Sequence, residues 1–127
     1  MELVGKDPTH VFGSLHSPNW DKTGGYELKE GFSNDFHVYS VNWQPDFIEF
    51  SVDGNVYETV HKSESDGGRQ WPFGGNNFFI LLNLAIGGYW PGNPDDSTQF
   101  PQKFMVDYVR VWEIDWNHSE ATQEFLQ

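Results

Sequence analysis

The sequence predicts an all-β chain folded as an antiparallel β-sandwich of the jelly-roll kind. Three observations predict it. Apolar and polar residues alternate over short segments parted by turn signals, with hardly any helical periodicity. Asp53-Gly54 lies between two such segments, and a two-residue type I′ turn needs the positive φ that Asp-Gly supplies cheaply. The run over residues 78–86 is apolar on both faces except at Asn83, as in a central strand covered on both sides, and it leads into a glycine-rich loop.

Taken in order, residues 10–17 read as a strand ended by Ser17-Pro18-Asn19. Residues 18–34 are polar and hold Gly24-Gly25 and Gly31, so a long loop with a short strand near Tyr26 is expected. Over 36–43 the alternation puts His37, Tyr39, Val41 and Trp43 on one face. Residues 47–52 alternate Ile48, Phe50 and Val52 against Phe47, Glu49 and Ser51, and 56–61 return antiparallel after the turn. A loop over 62–70 leads to Trp71-Pro72-Phe73-Gly74-Gly75, where proline and paired glycines are expected to forbid regular structure. The apolar strand over 78–86, a loop over 87–101 and a last strand over 103–113 follow; only 119–126 has a helical pattern. About six antiparallel strands with long loops fit a jelly roll.

Two polar residues interrupt apolar rows. Asn83 needs a partner, because an unsatisfied buried amide costs about 1–3 kcal/mol. Asp107 shares a face with Met105, Val109 and Val111, and a buried carboxylate there must be held by a cation, an arginine or backbone amides. Capping of nearby amides is one reading; calcium, a hard cation that takes oxygen ligands, is the other. Beyond the run, Tyr89 and Trp90 stand among Gly87, Gly88 and Gly92, a composition suited to stacking on a pyranose while the backbone approaches closely.

A chain of 127 residues with 37% hydrophobic content makes one small domain. Aromatic residues make up 17%, more than such a core needs, so some are expected to line a surface. The net charge of -12, from 19 acidic against 7 basic residues, opposes nucleic acid and anionic membranes but not a neutral polysaccharide. There is no cysteine, hence no disulfide, and no apolar run of about 18 residues to span a bilayer. No signal segment opens the chain, so a secreted protein would carry its signal elsewhere. Asn117-His118-Ser119 fits the glycosylation tripeptide, a pattern that also arises by chance.

Val11-Phe12-Gly13-Ser14-Leu15-His16, Asp35-Phe36-His37-Val38-Tyr39-Ser40-Val41-Asn42-Trp43, the 46–54 strand and turn, the 78–92 segment and Met105-Val106-Asp107-Tyr108-Val109-Arg110-Val111-Trp112 occur in order. This set resembles the C-terminal half of bacterial endo-β-1,3-glucanases (laminarinases) of glycoside hydrolase family 16. The resemblance implies a concanavalin-like jelly roll over residues 1–116, incomplete or strand-exchanged here, with 117–127 as a tail. The family's catalytic strand carries the pattern EIDIME: nucleophile, assisting aspartate and acid/base glutamate in turn. Met1-Glu2, followed by Leu3-Val4-Gly5, matches its end, so the resemblance implies that Glu2 is the acid/base and that the other two fall outside this chain. Retaining hydrolysis needs two carboxyl groups about 5–5.5 Å apart. The three acidic residues of the pattern share a strand face only if a bulge absorbs the odd spacing to the last glutamate. Glu113-Ile114-Asp115 repeats the pattern's opening, yet His118 stands where the second glutamate belongs, and coincidence in so acidic a chain is the expectation.

By the same resemblance, His16 matches a histidine close to the acid/base that can hydrogen-bond the sugar on the leaving-group side; a structural histidine is the other reading. Trp71, Tyr89 and Trp90 are candidate cleft walls for substrate, against core packing or lid closure. Asn83 reads as an anchor for its loop, and Asp107 matches the family's structural calcium aspartate, whose other ligands are largely backbone carbonyls of the N-terminal half. The implied function is retaining endohydrolysis of β-1,3 or mixed β-1,3-1,4 glucan outside the cell, without an organic cofactor, and with this chain inactive by itself. The alternative is a non-catalytic carbohydrate-binding or assembly fragment. The acidity disfavours sulfated galactans. Half a sandwich exposes apolar faces and strand edges, so association with an N-terminal half or strand exchange with a second copy is expected, and contact with nucleic acid or membrane is not.

Overall fold

A computed structural model of the chain describes residues 1–67 and 69–113. Two three-stranded antiparallel sheets form its body. The first holds β1 (Glu2–Val4), β2 (Asp7–Ser17) and β3 (Trp20–Glu27); the second holds β4 (Tyr39–Trp43), β5 (Phe47–Val52) and β6 (Asn55–His61). In both, the middle strand is the one with an apolar row on its inner side.

The sheets face each other over a shared core. Leu15 of the first packs with Ile48, Phe50 and Val60 of the second, and Trp71 and Phe73 close that cluster. Val11 joins Phe32 and Val52 in a second cluster beside it. Glycines set how closely the sheets approach. A Cβ on Gly13 would stand 2.6 Å from Phe50 Cγ, and one on Gly24, its cross-strand partner, would stand 2.5 Å from Glu58 Cβ.

The β5–β6 hairpin forms at Asp53-Gly54, with φ of 50° and 78° as a type I′ turn requires. The residues read as a long loop before Tyr26 instead form β3, paired with β2 from Trp20 through Glu27. Its two mid-strand glycines are tolerated because Glu58 fills the space at Gly24 and the Phe12 ring that at Gly25. β4 begins at Tyr39, later than expected: the Val38 carbonyl still accepts from the Asp53 amide, but the Val38 N–H donates to the Asp53 carboxylate at 2.8 Å rather than to a strand carbonyl. Single 3-10 turns occur at Lys62–Glu64 and at Pro72–Gly74, the second in a segment expected to hold none; proline at a first helical position meets no steric objection.

The strands expected over 78–86 and 103–113 are not formed. Phe79, Leu81 and Val111 are 82%, 77% and 78% exposed. Among the described residues no strand pairs with either segment, and a run apolar on both faces needs a neighbour on each side and a covering layer on each face. Asn83 is accordingly exposed and needs no buried partner. Phe78, still half exposed, meets Trp43 edge-on at 5.1 Å and stacks on Phe73 at 5.7 Å. The 119–126 helical pattern, the 117–127 tail and most of the Glu113-Ile114-Asp115 repeat lie outside the described residues. No helix among the described residues is long and apolar enough to cross a membrane.

Candidate functional site

The period-two alternation of β2 divides its side chains between the core and an open face. Val11 and Leu15 are buried, so Phe12, Ser14 and His16 point the other way. Cross-strand partners share a face, and the register widens this one: Glu2 of β1 stands opposite Phe12, while Gly25, Thr23 and Asp21 of β3 stand opposite Phe12, Ser14 and His16. The register between β1 and β2 shifts between Leu3 and Val4, on the turn side of Glu2.

Polar pairs order the far end of this face. Thr23 Oγ1 donates to Ser14 Oγ at 3.0 Å, and His16 Nδ1 lies 3.0 Å from Asp21 Oδ1. A proton on Nδ1 shared with the carboxylate leaves Nε2 as the ring atom available to a ligand. Aromatics order the near end. Trp90 meets the Phe12 ring edge-on at 5.3 Å, and Lys6, in the β1–β2 turn, donates its Nζ to the Trp90 carbonyl. Gly87, Gly88 and Gly92 take φ of 70°, 137° and 84°, so the loop turns sharply enough to lay Trp90 across the sheet. At the start of β2, the His10 hydrogen bond at 2.8 Å holds the Asp7 carboxyl below the usual range, against a smaller opposing effect of burial.

Glu2, His16 and Trp90, expected to act together, therefore share one face, but Glu2 and His16 do not meet. The four steps from Phe12 to His16 span roughly 13 Å at strand rise, too far for a hydrogen bond between Glu2 and His16. Tyr89 projects into solvent at 107% relative exposure. Trp71 belongs to the other side of the sheet: it is 9% exposed, packs with Trp20 and Phe73, and donates its indole N–H to the Pro45 carbonyl at 2.9 Å. Its apolar surface closes the core, and only its rim reaches a hollow of about 260 Å³ shared with Ser17, Pro18, Asn19 and Arg69. Asp107 is exposed on the unpaired 103–113 segment. Among the described residues no three His, Cys, Asp or Glu side chains gather as metal ligands, and Asp107 would supply only part of the 6–8 oxygens that a calcium site takes.

Phe12 and Asp21 escaped the reading of the sequence. The signal was present: extending the alternation of the 10–17 strand puts Phe12 with His16, and pairing across the Ser17-Pro18-Asn19 turn puts Asp21 beside it.

The model for glycosyl hydrolases family 16 matches residues 1–116. The β-glucanase of Rhodothermus marinus is 36% identical over 88% of this chain, which covers 42% of that protein. Glucan endo-1,3-β-glucosidase A1 of Niallia circulans is 34% identical, with 88% of this chain covering 18% of that protein. Among solved structures, the endo-β-1,3-glucanase from Pyrococcus furiosus superposes with a TM-score of 0.73 at 42% identity, over 78% of this chain and 40% of its own. The chain thus spans less than half the length of these relatives.

Proposed function

The chain belongs to glycosyl hydrolases family 16, and from that premise we propose that it supplies the acid/base part of a retaining endo-β-1,3-glucanase, acting on β-1,3 or mixed β-1,3-1,4 glucan. One observation carries the reading: an exposed carboxylate, Glu2, shares an open sheet face with Phe12 and the Trp90 that leans on it. A pyranose stacked on this aromatic pair would present its glycosidic oxygen to Glu2. As acid, Glu2 gives its proton to the departing oxygen while a second carboxylate attacks the anomeric carbon. As base, it then takes a proton from the water that cleaves the glycosyl ester. The second carboxylate comes from a segment outside these residues that continues β1, contributed by the N-terminal part of the enzyme or by a strand exchanged with a second copy. Asp107 would serve calcium together with backbone carbonyl oxygens of the N-terminal half of the enzyme. The charge of -12 does not oppose a neutral polymer, and a polymeric substrate places the enzyme outside the cell.

The test joins the part of the Pyrococcus furiosus enzyme that precedes the matched region to residues 1–127 and measures reducing ends released from laminarin. Cleavage is expected, and Glu2→Gln should lower it by about 10²–10⁴-fold. If residues 1–127 alone cleave laminarin at the chimera's rate, insensitive to Glu2→Gln, the assignment is wrong. A carbohydrate-binding module is the second reading, favoured by the pairing of Phe12 and Trp90 beside a single carboxylate. It would be upheld by Trp90-dependent retention of the chain on laminarin without cleavage by the chimera.

A further inference from the structure

The separation of Glu2 from His16 leaves the His16–Asp21 pair without a partner on β1. Beyond Phe12, no strand among the described residues pairs with the β1 side of β2 over residues 13–17, so its backbone groups there can take a strand in line with β1. Continuing the register, with the one-residue bulge that the EIDIME spacing requires before Glu2, the aspartate of the pattern comes opposite Ser14 and its first glutamate opposite His16, both on the open face. A residue opposite His16 has its Cα roughly 13 Å from that of Glu2, and two glutamates leaning toward each other from there close to the 5–5.5 Å of a retaining pair.

We propose that His16, fixed by Asp21, is a positioning residue for the nucleophilic carboxylate rather than for the acid/base, an assignment that rests on the function proposed above. The geometry supplies each part. Asp21 Oδ1 accepts the Nδ1 hydrogen at 3.0 Å, which holds one tautomer and turns Nε2 to whatever strand fills the adjoining edge. When His16 is protonated, Asp21 offsets its charge and Nε2–H donates to the incoming carboxylate, orienting its attacking oxygen and keeping it ionised. Both side chains are about two-thirds exposed, at 68% and 67%, so an added strand would cover them rather than displace core atoms. The charged and titratable groups around His16 are few. They are Asp21 on β3, Glu2 on β1, His10 with its partner Asp7 and Glu27 further along the face, Lys6 in the β1–β2 turn, and Arg69 near Ser17, whose guanidinium is held by Asp66 at 3.2 Å.

The pH dependence of kcat/KM in the chimera separates the two assignments. The nucleophile sets the acidic limb and the acid/base sets the alkaline limb. In Asp21→Asn, the acidic limb should move up by about half a pH unit or more and kcat should fall about tenfold. KM and the alkaline limb should stay in place, and Asp21→Glu should restore most of the loss. Movement of the alkaline limb alone, or no change in either limb, overturns the proposal. Nitrogen-15 spectra of His16 in residues 1–127 give a readout without activity. The Nδ1-protonated tautomer is expected to dominate in the native chain and to give way to a mixture in Asp21→Asn; a native chain dominated by the other tautomer also overturns it. A wild-type chimera that folds but leaves laminarin intact defeats the functional reading itself, and this assignment with it.

Discussion

Strand β5 and the 78–86 run are both apolar, and they end in opposite environments. Phe50 is 4% exposed, whereas Leu81 is 77% exposed. β5 has β4 and β6 on either side and the first sheet across its inner face. The 78–86 run has no paired neighbour among the described residues. Hydrophobicity makes burial favourable, but only partners for the backbone and a layer for each face make it possible. The second sheet teaches the same lesson on a smaller scale. Tyr39, Val41 and Trp43 face the core side, opposite Val52, Phe50 and Ile48, yet remain 43–49% exposed because the first sheet does not reach over them.

The comparison breaks most visibly under truncation. Phe50→Ala should cost about 3–5 kcal/mol in urea unfolding of the chain. Leu82→Ala, at a residue 56% exposed, should cost less than about 0.5 kcal/mol. Equal costs would mean that the 78–86 run is packed in solution, and the contrast would fail.

Smaller in energy is the association that so much uncovered apolar surface invites. Light scattering at micromolar concentration should report a mass well above the 14.7 kDa of one chain, and Leu81→Lys should bring it down. A compact monomer in the native chain would show that residues 78–113 find cover within the chain itself.

The smallest effect sharpens the ordered side of the comparison. Partial burial pushes the Asp53 carboxyl up, but the His37 hydrogen bond at 2.7 Å, the Val38 amide at 2.8 Å and the His37 charge outweigh it, leaving Asp53 below its ordinary 3.8. A carboxyl lowered by folding adds stability that is present above the unfolded value and lost as pH falls through the folded one. Between about pH 5 and pH 3 the native chain should therefore lose more stability than Asp53→Asn, which keeps a residue tolerant of positive φ in the turn. Equal losses would dissociate the His37–Asp53 contact from the hairpin's stability.

The sequence by itself determined what depends on neighbours along the chain. Asp53-Gly54 could be read as a hairpin because positive φ is a local demand, and the alternation over 47–52 named the buried face of β5 because period two is a local property. Only the tertiary structure decided the rest. β3 formed across Gly24-Gly25 because side chains from β2 and β6 occupy the space those glycines leave. Trp71 went to the core and Trp90 to the open face, although both are tryptophans followed by proline, because one lies between the sheets and the other hangs on a loop tied to Lys6. Asp21 joined His16 through strand pairing across a turn. The 78–86 run stayed exposed for the same physical reason: burial is a property of what stands opposite a residue, and no stretch of sequence contains its own opposite face.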